Sequence, residues 1–263
     1  MGGERDWQGL RRTFDTVAEQ YEEARPTYPE ALLDDLVAET RLPPGGRIVE
    51  IGPGTGKASV ALAARGFELV GVELGPGLAA VARRRLAPYP RASVVVGAFE
   101  RWEPAAVDFD AVVAFTSFHW VDPEVRYAKS ASLLRPGGAL AAVSTRHVLV
   151  PGGDPVWAEL QAAYDAVRPH PGNGPPPAPE DVPDLREEME ATGLFESVVV
   201  RRHLWEVDYT ADEYVAVLGT YSDNIALPAA QRNELFARIH AGIAERGTVR
   251  KTYLGTLNVA RKP

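Results

Sequence analysis

The stretch Arg47-Ile48-Val49-Glu50-Ile51-Gly52-Pro53-Gly54-Thr55-Gly56-Lys57 decides the fold of this chain. An apolar run ends in an acid, three alternate glycines follow, and an Ala-rich helical run begins at residue 57. The pattern predicts a buried parallel strand, a tight loop and a helix start. Glycines permit positive φ and let a ligand lie against bare backbone. A helix N-terminus adds free N–H groups and a partial positive charge. A small charged ligand is the expected occupant, and spacing narrows it. In a dinucleotide fingerprint, G-x-G-x-x-G, Gly52 and Gly54 fit but the third glycine falls on Lys57. In a phosphate loop, G-x-x-x-x-G-K-[ST], Gly56-Lys57 fits, but Ile51 stands for the first glycine and Ala58 for the hydroxyl that meets magnesium. What remains is an acid two residues before three alternate glycines.

Outward from this loop the chain alternates. Upstream, residues 7–25 read as a helix with Phe14, Val17 and Tyr21 at helical spacing, stopped by Arg25-Pro26-Thr27-Tyr28-Pro29. A second helix covers roughly 29–39, and Leu42-Pro43-Pro44-Gly45-Gly46 turns into the first strand. Downstream, residues 57–65 are helix with Gly66 as C-cap, 67–73 a strand that again ends in an acid (Glu73), 76–86 a helix with Pro76 in its first turn, and 92–96 a strand. Residues 109–115 are apolar throughout, as buried parallel strands are. Asp122-Pro123 is expected to cap a helix over about 123–134, Leu134-Arg135-Pro136-Gly137-Gly138 is a turn, and residues 139–144 form a fifth strand. Such alternation implies right-handed crossovers and a doubly wound sheet. The rhythm then changes. Helices are expected at 154–167, 184–191, 211–219 and 228–246, a Pro/Gly-rich loop at 169–183, and strands at 198–207 and 251–261. The two late strands suit an antiparallel edge hairpin.

Bulk properties exclude several classes. With 263 residues, one large domain or a domain plus lid is expected. The net charge is −8, and Arg83-Arg84-Arg85 is the sole basic run, so nucleic acid is not the expected partner. Cysteine is absent, which removes disulfides and thiolate metal sites, and no His/Asp/Glu spacing signals a metal. No stretch is long and apolar enough to span a bilayer, and residues 1–6 lack the apolar core of a signal peptide, so a cytoplasmic monomer or homodimer is expected.

The acid-glycine loop resembles E/D-x-G-x-G-x-G, the first motif of class I S-adenosylmethionine (SAM) methyltransferases. Leu133-Leu134-Arg135-Pro136-Gly137-Gly138 is similar to that family's L-x-P-G-G before strand 5. Phe14…Tyr21…Arg25-Pro26-Thr27-Tyr28-Pro29 and Phe118-His119-Trp120-Val121-Asp122-Pro123 resemble the type 11 small-molecule group, the neighbourhood of trans-aconitate methyltransferases. The resemblance implies an α/β Rossmann-like sheet of seven strands in the order 3-2-1-4-5-7-6 with a helical lid. It divides the chain into an N-terminal helical lid segment (1–40), a SAM-binding core (41–145), and a remainder (146–263) holding lid insertions at about 146–190 and 208–250 with the last two strands. The implied activity is SAM-dependent methyl transfer to a small-molecule O-, N- or C-nucleophile, within secondary metabolism, with S-adenosylhomocysteine as product. A SAM-binding fold turned to cyclisation, or a nucleotide-dependent oxidoreductase, are the alternatives.

Ligands of such a sheet sit beyond the carboxyl ends of the strands. By resemblance Glu50, Gly52, Gly54 and Gly56 hold the SAM tail, Glu50 either by direct contact or by fixing the loop, and Glu73 meets the ribose hydroxyls. Tyr21 and Arg25 are candidates to close over the SAM carboxylate, Arg25 by a bidentate contact. The family often has Gly-Asp-Ala after strand 3, with the Asp on adenine. This chain has Gly97-Ala98-Phe99-Glu100, so adenine falls to Ala98, Phe99 and Glu100. Thr116, just past strand 4, joins the cofactor set. His119 is the candidate general base and His147 a second, since imidazole has a suitable pKa; otherwise His119 shapes the pocket wall. Tyr28, Phe118, Trp120, Trp157 and Tyr221 are candidate substrate contacts, with Tyr164, Trp205 and Tyr214 available nearby in sequence.

Overall fold

The computed structural model describes residue 15 and residues 18–105, 107–167 and 174–263. Phe14, Val17, Arg168 and His170 lie outside the described residues. By internal contacts the chain forms two compact units, one of Thr27–Thr145, Asp184–His203 and Gly255–Pro263, the other of Met1–Pro26, Arg146–Pro183 and Leu204–Leu254.

The first unit carries the sheet. Its strands are β1 (Arg47–Ile51), β2 (Glu68–Glu73), β3 (Ala92–Val96), β4 (Phe109–Phe115), β5 (Leu134–His147), β6 (Glu196–Thr210) and β7 (Thr248–Arg261), in the order β3-β2-β1-β4-β5-β7-β6. Neighbours from β3 to β5 pair in parallel. The start of β5 bonds the end of β7, Gly137 N to Lys262 O and Lys262 N to Gly138 O, so β7 runs antiparallel. Period-two alternation divides each central strand between two cores. Val49, Ile51, Val112, Ala114, Leu140 and Ala142 enter one. Ile48, Ala111, Val113, Phe115, Ala141 and Val143 enter the other.

Helices cover both faces. Leu32, Leu33 and Leu36 of α2 (Glu30–Thr40) and Leu62 of α3 (Lys57–Ala64) fill the second core. Each such leucine contributes about 1.5–3 kcal/mol by burial. Tyr127 and Leu133 of α5 (Arg126–Leu133) and Met189 of α7 (Arg186–Ala191) fill the first. Helix α2 packs with the sheet, and the first unit begins at Thr27. Helix α4 (Pro76–Leu86) and β3 lie where their sequence patterns place them.

Two expectations are corrected. The helix anticipated from Pro123 starts at Arg126, because the Asp122 carbonyl accepts from Val125 N and Arg126 N while its carboxylate accepts from Glu124 N at 2.9 Å. The residues read as a turn at Leu134-Arg135-Pro136-Gly137-Gly138 lie inside β5 and hold a bulge. Phe109 to Ala111 advance two residues while their partners advance from Leu134 to Ala139. A Cβ on Gly138 would lie 3.0 Å from the Phe109 carbonyl, so glycine is what admits the bulge.

The second unit has its own core. It gathers Val156, Trp157 and Leu160 of α6 (Val156–Val167), Tyr214 and Val217 of α8 (Ala211–Leu218), Leu235, Ile239 and Ile243 of α10 (Ala229–Ala244), and Tyr209, Val249 and Tyr253 from strand ends. The described part of the first predicted helix is α1 (Ala18–Ala24), and a one-turn helix α9 (Ser222–Ile225) was not anticipated. Thr210 and Glu213 form a capping box that starts α8.

Candidate functional site

The site is built at the carboxyl end of β1. All three loop glycines take left-handed backbone, Gly52 at φ 59°, Gly54 at 59° and Gly56 at 84°. Gly52 lies against Ser117, where a Cβ would come within 2.9 Å of the serine Cβ. Ser117 Oγ donates to the Ile51 carbonyl, and Gly52 N donates to Val72 O at 2.9 Å. Gly56 backs onto Ala82 of α4. Gly54 differs, because a Cβ there would meet nothing within 4 Å. Pro53 lies on Gly71 of β2, where a Cβ would come within 2.8 Å of the proline ring.

Two buried carboxylates flank the loop. Glu73 at the end of β2 accepts from Gly54 N and Gly75 N, both at 2.9 Å, and so ties the loops after β1 and β2 together. Glu50 accepts from Ser59 Oγ of α3 at 2.5 Å, while its other oxygen is buried without a partner among the described residues. Burial pushes the Glu50 carboxyl up, the Ser59 hydrogen bond offsets part of this, and the Glu73 charge adds to it, bringing its pKa to about 7. This pair disfavours an anion and suits a cation. The donor set fits SAM, whose sulfonium and ammonium are cationic, with Gly54 presenting bare backbone and Glu50 an unused oxygen.

Beyond β3, Gly97 N donates to the Glu73 carbonyl at 2.8 Å, which places Ala98-Phe99-Glu100 beside the β2 end. The Phe99 ring is buried in the first core, which takes it away from any ligand surface there. Beyond β4, Thr116 stands at φ 56°, a strained position for a β-branched residue. Its hydroxyl donates to Thr145 Oγ1 and meets the Tyr28 hydroxyl, each at 3.3 Å. Phe118 packs into the first core edge-on to Tyr127 at 5.2 Å, which takes its ring away from a substrate surface. His119 is exposed, with its ring 4.9 Å from that of half-buried Trp120.

The first unit thus brings together Glu50, the three glycines, Glu73, Ala98, Phe99, Glu100, Thr116, Tyr28 and residues 118–120. Tyr21, Arg25, His147, Trp157 and Tyr221 belong to the second unit. There Arg25 donates to Thr220 Oγ1 at 2.7 Å and lies over the Tyr221 ring at 4.1 Å. Trp157 donates its indole N–H to Arg250 O at 3.0 Å and meets His147 edge-on at 4.2 Å. Burial first, then Lys251, lowers the His147 pKa to about 2, so this imidazole is neutral and weakly basic.

Residues 48–138 match the methyltransferase domain family. An uncharacterised methyltransferase of Mycobacterium tuberculosis is 34% identical over 131 residues, covering 50% of this chain and 51% of that protein. The chain thus spans about half the length of the curated relatives it matches most strongly. A solved protein of Anaeromyxobacter dehalogenans, described as a type II methyltransferase, superposes with a TM-score of 0.61 at 23% identity, covering 90% of this chain and 97% of that one. A SAM-dependent methyltransferase of Geobacter sulfurreducens, solved with S-adenosylhomocysteine, superposes with a TM-score of 0.54 at 18% identity over 95% and 98% of the two chains. These likenesses agree on the seven-stranded Rossmann-like fold. Among the described residues, no helix is long and apolar enough to cross a membrane and no cluster of acids and histidines is arranged to hold a metal.

Several site residues escaped the sequence. Ser59 lies nine residues beyond Glu50, Ser117 belongs to another crossover, and Gly71 marks its role only through Pro53. Outside that site, in the second unit, Lys251 is a buried cation with a legible signal: it shares the period-two face of Tyr253, Leu257 and Val259, where an apolar residue is expected.

Proposed function

We propose that the chain transfers a methyl group from SAM to a small-molecule acceptor of the kind secondary metabolism supplies. The observation that carries this reading is the pair of buried carboxylates, Glu50 and Glu73, on either side of a left-handed glycine loop whose Gly54 faces open space. The family match over 48–138 and the relatives' printed activities support it. SAM, when bound, supplies the activated methyl group and leaves as S-adenosylhomocysteine. The chain's own residues position and orient. Glu73 holds the ribose hydroxyls while keeping the loop closed through Gly54 N. Glu50 offers its unused oxygen to the cationic tail. Ala98 and Phe99 present backbone, and Glu100 its side chain, to the adenine. His119 takes the acceptor's proton, and Trp120 forms part of the acceptor wall. The Arg25-Pro26-Thr27-Tyr28-Pro29 and Phe118-His119-Trp120 runs favour the type 11 group within this reading.

Titration calorimetry tests the cofactor directly. SAM and S-adenosylhomocysteine should bind and NAD should not. Binding of NAD with no response to SAM would replace this reading by the oxidoreductase one. Turnover of SAM to S-adenosylhomocysteine across an acceptor panel then separates methyl transfer from a SAM-holding protein of other chemistry.

A further inference from the structure

The second unit buries a lysine among tyrosines. Lys251 of β7 is fully buried, and its ammonium donates to the Tyr221 hydroxyl at 2.9 Å. The rings of Tyr253, Tyr214 and Tyr221 surround it at 4.9, 5.1 and 5.3 Å. An ammonium has three donors, and one is used here. Among the described residues no carboxylate bonds or pairs with it. A second cation, Arg25, lies 4.1 Å over the Tyr221 ring and repels Lys251. Aromatic faces offset part of the burial cost of a cation, but a buried charge without an ionic partner remains costly. Nearby, His147 Nε2 is buried without a partner among the described residues, beside Lys251 electrostatically and against Trp157. The remaining groups facing the cluster are the phenols Tyr209, hydrogen-bonded to Tyr253 at 2.9 Å, and Tyr164, beside Tyr214. Tyr221 and His147 are both half-buried, so the exposed surface of the cluster lies on their side.

We infer that Lys251, Tyr221 and His147 form a binding site for an organic carboxylate with a planar apolar body. The carboxylate takes the unused ammonium donors and, with His147 in its Nε2–H tautomer, the unpartnered imidazole N–H, a charge-assisted set. The body packs on the half-buried Tyr221 and His147 rings, which supply apolar area with fixed geometry. A neutral ligand of the same shape gains the stacking alone. The assignment stands on this unit's geometry and does not depend on the methyl-transfer reading.

Benzoate, phenylacetate and cinnamate, each paired with its amide, serve as probes in calorimetry at pH 7 without SAM. At least one acid should bind ten-fold or more tightly than its amide. Lys251→Met should abolish that preference and keep the SAM affinity, and Lys251→Arg should retain it. Equal binding of acids and amides, no binding of any acid, or a preference that survives in Lys251→Met would overturn the site. A second measurement needs no variant. Burial raises the Tyr221 phenol, but Lys251 and Arg25 outweigh it and bring its pKa to about 8. A bound carboxylate engages the same ammonium, so the acid should move this phenol's ultraviolet titration to higher pH while its amide does not. An unmoved titration with saturating acid would also overturn the assignment.

Discussion

At the scale of single residues, Glu50 links stability, pH and cofactor affinity. Its carboxyl is raised from 4.5 to about 7 by burial, with one oxygen unpartnered. Between those two values the folded state holds a proton that the unfolded state has lost. The Glu50 contribution to stability is therefore fullest below pH 4.5 and declines as the pH rises to about 7, by on the order of 3 kcal/mol. Glu50→Gln removes that cost. Denaturant melts should show the variant matching its parent at pH 4.5 and exceeding it at pH 8. A cationic cofactor favours the ionised carboxylate, so the parent's SAM affinity should rise with pH through 7, whereas the Gln variant should bind weakly at every pH. A stability gap that does not change with pH would remove Glu50 from this role. His119 calls for a different readout. It lies exposed next to Trp120, outside the core that holds Phe118. His119→Ala should lower kcat 100-fold or more, the scale of general-base catalysis, with SAM affinity unchanged. Full turnover would leave the ring as pocket wall.

At the scale of elements, the β1-loop-α3 unit separates glycines needed for the fold from one needed for a ligand. Gly54 and Gly66 share a left-handed φ, 59° and 86°, and a Cβ on either meets nothing within 4 Å. Alanine at either position should therefore cost a similar 1–2 kcal/mol or so of stability through backbone strain alone. Only Gly54→Ala places a methyl in the proposed cradle, so calorimetry should find its SAM affinity down ten-fold or more, with Gly66→Ala unaffected. Equal affinities would mean that the cradle lies elsewhere. The same elements show what sequence can carry. β1 was legible as an apolar run between glycine turns, β4 as a run apolar almost throughout, and α4 from Pro76 and its apolar spacing. Of the two ends that failed, one depends on distant partners and the other on a local turn. Gly138 continues β5 as a bulge because the Phe109 and Asp110 carbonyls lie beside it, and Asp122 delays α5 through its own turn bonds. Glu73 was legible as a strand-end acid, but its grip on Gly54 N and Gly75 N depends on two loops meeting.

At the scale of the whole molecule, charge is the property that acts over distance. The chain carries a net charge of −8, and many of its arginines are paired at the surface, Arg65 with Glu30 and Asp34, Arg250 with Asp208, Arg135 with Asp110. Exposed pairs of this kind add little stability, but they leave the acidic surplus to set the long-range field. This was legible from composition alone. The grouping of α1, α6, α8 and α10 into a second core was not, because amphipathic helices carry no label for the partner they cover. The field has a consequence for the proposed cofactor, whose sulfonium and ammonium outnumber its carboxylate. A negative protein draws such a cation in, and salt screens the attraction as the Debye length shrinks from about 30 Å at 0.01 M to about 3 Å at 1 M. Stopped-flow measurements should find the SAM association rate falling steadily over that range. Dissociation should change little, because Glu50 and Glu73 are buried and lie largely beyond the reach of screening ions. An association rate that rises with salt would mean that the field opposes the ligand, and the cofactor would then have to be an anion.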